Sequence, residues 1–208
     1  MLAVLVANTK GGCGKTTIAT QLAGAFAKAG LITALADADR QHSSLEWTAR
    51  RPKETAPVHG LDWVRDVGKA PRHTARLIID APAAMRPKQA EALVKMADMI
   101  VLPVLPSAFD EAATARFLDH LETIKPIRKN KKAVALVGNR MRTRTRAAAR
   151  LDQYLVVQGH QVVTRLRDSA LYSDTAARGL SLFDLRGQRA ENMREDWRAL
   201  LTFIENAA

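Results

Sequence analysis

The hydrophobic positions of this chain fall in short unbroken runs separated by longer segments of helical periodicity. Residues 2–7, Leu-Ala-Val-Leu-Val-Ala, show the pattern of a parallel strand buried on both faces. Ile18, Leu22, Ala25 and Phe26 then recur at helical spacing, and Gly30 stops that helix. Apolar runs at residues 31–36, 76–79, 99–104, 132–137 and 161–166 predict further strands. A helix starts at Ser43, another covers residues 110–124 with Ala113, Phe117, Leu121 and Ile124 on one face, and a third covers residues 144–158. Residues 52–60 read as a loop, and two helices close the chain. This alternation implies right-handed crossovers and an α/β fold. The expected architecture is a doubly wound, mostly parallel, Rossmann-like sheet flanked by helices, with its ligand at the C-terminal edge.

At 208 residues and 47% hydrophobic the chain can bury a sizeable core, and no linker-like stretch divides it, so residues 1–208 are expected to form one domain. No apolar run approaches the roughly 18 residues of a membrane span, and the strand-like start lacks the basic region of a signal peptide, which predicts a cytoplasmic protein. On the last helix Met193, Trp197, Leu200, Leu201 and Ile204 form an apolar stripe. Glu191, Glu195, Asp196 and Glu205 outnumber Arg194 and Arg198 beside it, which suits packing on the chain's own sheet better than lying on a membrane.

The chemistry starts where the first strand ends, at Asn8-Thr9-Lys10-Gly11-Gly12-Cys13-Gly14-Lys15-Thr16-Thr17. A triphosphate needs converging N–H donors, and Gly11, Gly12 and Gly14 remove the Cβ atoms that would keep the backbone away from it. The helix that follows adds its positive end. Lys15 is placed to reach the β- and γ-phosphates, the Thr16 hydroxyl to ligate Mg2+, and Thr17 to lie near the α-phosphate. The pattern G-x-x-x-x-G-K-[ST] requires glycine where Thr9 stands, and Lys10 follows instead. Cys13, the single cysteine, can make no internal disulfide. At a helix N-terminus beside Lys15 its thiol pKa would be lowered; the alternative is that it fills the variable position of the loop and does no chemistry.

Two further strands end in carboxylates. Asp37-Ala38-Asp39-Arg40-Gln41 closes the second, where side chains face the ligand crevice, although both aspartates could instead cap the helix from Ser43. Asp80-Ala81-Pro82 closes the third, and Asp80 takes the position from which P-loop proteins hold Mg2+ through water.

Lys-Gly-Gly-x-Gly-Lys-Thr resembles the deviant Walker A motif of the ParA/MinD family of dimeric ATPases, and Asp37 to Gln41 resembles that family's D-x-D-P-Q switch with Arg40 in place of proline. The resemblance extends over nearly the whole chain and is strongest to small ParA proteins such as ParF; past Asp80 it loosens, and Ala83 stands where many relatives have proline or glycine. It implies a P-loop ATPase that uses ATP and Mg2+, with Lys10 crossing a homodimer interface to the partner's ATP. Asp39 would place the attacking water near the magnesium shell. Gly138-Asn139-Arg140 resembles the segment that contacts adenine, so Asn139 would read the base through its amide; a polar turn residue after a strand is the other reading. The family further implies ATP-dependent binding to nonspecific DNA, which would make the protein nucleoid-associated. It also implies an activator resembling ParB or a cargo adaptor, and a plasmid, a chromosome region or a protein assembly as cargo. Stable membrane association is not expected. The alternatives are membrane cycling of the MinD type and a metabolic ATP-dependent ligase or amidase like dethiobiotin synthetase. One cysteine cannot supply the paired ligands of a nitrogenase-type cluster.

Charge sharpens the DNA expectation. A net charge of +11 and a calculated pI near 10.3 point to a polyanionic partner. Arginines crowd the segment after residue 137, and Arg142, Arg144, Arg146, Arg165 and Arg167 are the expected phosphate contacts. A solvated helix face would show the same run.

Overall fold

The computed structural model describes residues 1–128, 132–142, 145–157 and 161–207. In chain order its elements are β1 (Leu2–Val6), α1 (Lys15–Lys28), β2 (Thr33–Asp37), α2 (Ser43–Ala49), β3 (Val58–Asp62), β4 (Arg76–Asp80), α3 (Pro87–Met96) and β5 (Met99–Val104). They continue as α4 (Ala108–Thr123), α5 (Lys125–Arg128), β6 (Ala133–Met141), α6 (Arg146–Val157), β7 (Gln161–Arg167), α7 (Leu171–Ala177), a 3-10 turn (Leu182–Asp184) and α8 (Gln188–Glu205). The strands form one seven-stranded sheet in the order β3-β2-β4-β1-β5-β6-β7, and every pairing is parallel. The doubly wound architecture expected from the alternation is present.

The unbroken apolar runs divide their side chains between two cores. In β1, Ala3 and Leu5 join Leu93, Phe117 and Leu121 on the face covered by α3, α4 and α6. Leu2, Val4 and Val6 join Ile18, Leu22, Trp47 and Trp197 on the face covered by α1, α2 and α8. A strand with helices on both sides has no polar face, which is why it reads as a run rather than an alternation. The stripe of the last helix belongs to the second core: Met193, Trp197, Leu200 and Ile204 are buried, and Trp197 Nε1 donates to the Tyr172 hydroxyl at 3.1 Å. Among the described residues no helix is long and apolar enough to cross a membrane.

Several elements differ from the expectation, the short helix α5 among them. The expected loop of residues 52–60 ends in structure instead: residues 58–62 form the edge strand β3. Paired on one side and mostly exposed, it needs no apolar periodicity. The helix α3 is absent from the expectation, although its buried Ala90, Leu93 and Val94 fall at the i, i+3, i+4 spacing of an amphipathic helix and Pro87 opens it. Strand β6 runs past residue 137 to Met141, with a register shift between Gly138 and Met141 and Arg140 in the left-handed region at φ 51°.

Parallel registry positions the site. Asp37 lies opposite Asp80 across β2 and β4, and Asp80 lies opposite Val6 across β4 and β1, so the three strands end at one level. Behind this edge a buried polar latch ties α2 to the C-terminal segment. Arg51 Nη1 pairs with Asp184 at 3.1 Å, with side chains only 5% and 2% exposed, and its guanidinium lies 4.8 Å from the Trp47 ring centroid. Arg51 also donates to the carbonyls of Ala56 and Gly179, while Trp47 Nε1 donates to the Leu180 carbonyl. Burial alone would raise the Asp184 pKa. The Arg51 guanidinium and the N–H and hydroxyl of Ser181 reverse that and hold it below the usual range. Arg51→Ala, which strands a buried carboxylate, should lower the unfolding free energy by about 3–5 kcal/mol in urea titration. Because the folded pKa is depressed, this contribution is complete above the unfolded value of about 3.9 and fades as pH falls through the lower folded value. The gap between parent and variant should therefore shrink in acid.

Candidate functional site

The glycine-rich loop joins β1 to α1 and is held from two sides. Asn8 is fully buried; its amide donates to the Pro103 carbonyl at 2.8 Å and the Thr114 hydroxyl at 3.1 Å, and its carbonyl oxygen accepts the Lys10 N–H at 3.1 Å. From the far side the Asn139 amide donates to the Cys13 carbonyl at 2.8 Å. Gly12 and Gly14 sit at φ 76° and 96°, and a Cβ on Gly14 would stand 2.2 Å from Asn139 Nδ2, so both conformation and contact require glycine there. A Cβ on Gly11 or Gly12 would meet nothing within 4 Å: the loop opens on free space. Gly14 caps α1 with no side chain, and the first turn holds no acidic residue, which leaves the helix N–H groups to an anion.

Lys15 is buried at 7% exposure, its Nζ donating to the Lys10 carbonyl at 3.0 Å, so the ammonium is folded over the loop that a phosphate would occupy. Thr16 and Thr17 are half-buried at the start of α1. Lys10 is half-buried, and its ammonium makes no ion pair among the described residues.

The carboxylates divide their roles. Asp37 is fully buried and accepts the N–H groups of Asp39, Ser44 and Leu45, each at 2.9 Å; it caps α2, the structural alternative considered for the pair. Asp39, at the partly open edge, accepts the Gln41 N–H at 3.0 Å. Asp80 is 1% exposed, and neither of its oxygens has a hydrogen-bond partner among the described residues. Burial pushes its pKa up to about 7, and nearby Asp37 adds to this, while Thr16 and Lys15 favour the charged form without forming a well-aligned bond to it. The Ser44 hydroxyl is likewise buried and unpartnered. An unsatisfied carboxylate beside a threonine hydroxyl suits a hard divalent cation, which prefers oxygen ligands. Thr16 and Asp80 would hold Mg2+, with Asp39 at the rim.

Other expectations shift. Cys13 is fully buried, and burial raises its thiol pKa against the lowering effect of Lys15, so the expected activation is overturned: loss of hydration outweighs the nearby charge. Asn139 lies within β6, not in a turn after it, and its amide nitrogen is engaged by the loop. Asn8 anchors the loop to β5 and α4, a role that composition did not indicate; its only signal was a polar amide directly after an apolar run. Of the expected DNA contacts, Arg142 pairs with Asp168 at 2.8 Å, Arg165 with Asp152, and Arg167 with Asp196 at 2.6 Å. Arg146 is exposed on α6, and Arg144 lies outside the described residues.

Compared with known proteins, the chain matches the CobQ/CobB/MinD/ParA nucleotide binding domain family over residues 4–182. It is 30% identical over 206 residues to the Maintenance of carboxysome distribution protein A of Halothiobacillus neapolitanus, with 96% of this chain and 94% of that one covered. Its fold is similar to the MinD cell division protein of Aquifex aeolicus, at a TM-score of 0.74 and 17% identity over 97% of each chain. It is also similar to an aspartate-to-alanine variant of Cyanothece McdA in complex with ATP, at a TM-score of 0.72 and 16% identity over 100% of this chain and 96% of the other.

Two substitutions test the geometry by calorimetry. Lys15→Ala should weaken ATP binding by at least about 10- to 100-fold, the worth of a charge-assisted hydrogen bond. Asp80→Asn should leave the ligand-free protein as stable or more so, because it removes an unpaired buried acid, and should abolish the tightening of ATP binding by Mg2+.

Proposed function

The chain belongs to the CobQ/CobB/MinD/ParA nucleotide-binding domain family, and from that premise we propose that it is an ATP-driven positioning switch. ATP closes two copies into a homodimer, the closed form binds nonspecific DNA, and an activator resembling ParB or a cargo adaptor stimulates hydrolysis and releases it. The observation that carries this reading is the open glycine cradle backed by the unpartnered Asp80 carboxylate.

The residues act in sequence. The free N–H groups of the loop and of the first turn of α1 take the phosphates. Lys15 gives up the Lys10 carbonyl for the β- and γ-phosphates, exchanging a neutral acceptor for a charged one. Lys10, with no carboxylate partner among the described residues, is free to reach the nucleotide of the second copy. Asp39, on the turn after β2, orients the attacking water. Mg2+, held through Thr16 and Asp80, would supply the positive charge that offsets charge on the transferring phosphoryl group. Preorganised positive charge at the phosphates lowers the barrier, and the water-positioning step leaves room for control by a partner.

A protein assembly is the favoured cargo, since the relative from Halothiobacillus is named for carboxysome distribution. Burial of the α8 stripe supports a DNA platform over a membrane one. Asp39→Ala should retain ATP and accumulate as a dimer by light scattering, while phosphate release falls at least about 100-fold. Normal turnover, or a chain that stays monomeric with ATP bound, would reject the cycle.

A further inference from the structure

Arg142, Arg165 and Arg167 are each engaged by a carboxylate, while Arg140 and Arg146 near them stand exposed without an ion pair among the described residues; a tighter gathering of unpaired cations lies elsewhere. A groove of about 1230 Å³ opens at the C-terminal edge of the sheet between the segments that follow β2, β3 and β4. Arg40, Arg65, Arg86 and Lys88 stand exposed around it, and none of the four makes an ion pair among the described residues. Trp63, 3% exposed, contributes to the wall, and Asp39 lies within. We propose that this cationic rim, rather than the paired Arg142, Arg165 and Arg167, is the seat for the DNA phosphate backbone; the inference rests on the DNA-binding reading above.

An arginine already engaged by a carboxylate must lose that partner before it meets a phosphate, whereas an exposed, unpaired one exchanges only water and counterions. Four such cations around one opening suit a ligand that lays phosphates across the rim. An acidic peptide threaded into the groove would bring its carboxylates against Asp39. The position also links DNA to nucleotide. Arg40 follows Asp39 in a tight turn in which the His42 N–H donates to the Asp39 carbonyl at 3.0 Å and the Gln41 N–H to the Asp39 carboxylate. His42 adopts the left-handed region at φ 53°, a conformation that L side chains hold at a cost. Any shift of Asp39 toward a bound nucleotide therefore moves Arg40 on the rim. In a dimer two such rims act together, raising avidity without new contacts.

The test compares two triple variants of the full chain, each bound to a nonhydrolysable ATP analogue, on a labelled random-sequence DNA duplex across a salt series. Arg65→Gln/Arg86→Gln/Lys88→Gln should weaken retention at least about tenfold near 0.1 M salt and reduce the salt slope by about 3 per chain, at about 0.9 per lost phosphate contact. Arg142→Gln/Arg165→Gln/Arg167→Gln should stay within about threefold of the parent, because each removes a cation already paired. Both variants should bind the ATP analogue as the parent does, which shows that they fold. Equal losses in the two variants, or a larger loss in the second, would overturn the assignment. So would rim-dependent binding of a labelled oligoglutamate peptide by a protein whose DNA affinity is indifferent to the rim. A parent that retains no DNA with the analogue bound would overturn the DNA reading itself, and the rim assignment with it.

Discussion

The parallel ladder of β2, β4 and β1 sets Asp37, Asp80 and Val6 at one level, and everything functional is built on that edge. Hydrogen bonds between strands fix the register. The glycine loop leaves from Val6 at the same height at which Asp80 ends its strand, and the crossovers carry the helices away to both faces. No single side chain sets this level; a slip of β4 by one residue would turn Asp80 to the opposite face.

On that edge, three chemically similar groups diverge through their surroundings. Asp37 is spent on the backbone of α2, Asp39 stands partly open on the turn it nucleates, and Asp80 is buried with both oxygens unsatisfied. A buried acid without a partner is destabilising, and its retention makes sense where a cation is to be received. Lys15 shows the complementary arrangement, a buried ammonium resting on its own loop's carbonyl. The latch of Arg51, Asp184 and Trp47 holds α2 against the C-terminal segment, so the turn that carries Asp39 hangs from a firm support.

Positive charge is distributed with the same economy. Arg142, Arg165 and Arg167 are matched by Asp168, Asp152 and Asp196, while the cations around the groove beside Asp39 face water. Net charge states only that a polyanion is attracted; which surface attracts it depends on which cations are already neutralised, and that is a property of neighbours in space.

Much of the fold was legible along the chain. Doubly buried strands must be apolar throughout, and the phosphate loop needs glycine and lysine at fixed spacing, so β1, β2, β4, β5 and the cradle from Lys10 to Thr17 announce themselves locally. The edge strand β3 and the bulged end of β6 do not, because edge pairing and bulges leave little periodic trace. Contacts across the chain settled the rest: Asn8 and Asn139 gripping the loop, Cys13 too buried to ionise readily, Asp37 turned into a cap, and the arginines sorted into paired and free. Residue type and spacing declare a potential for chemistry, but hydration and partners decide how it is used, and both exist only once distant segments are packed together.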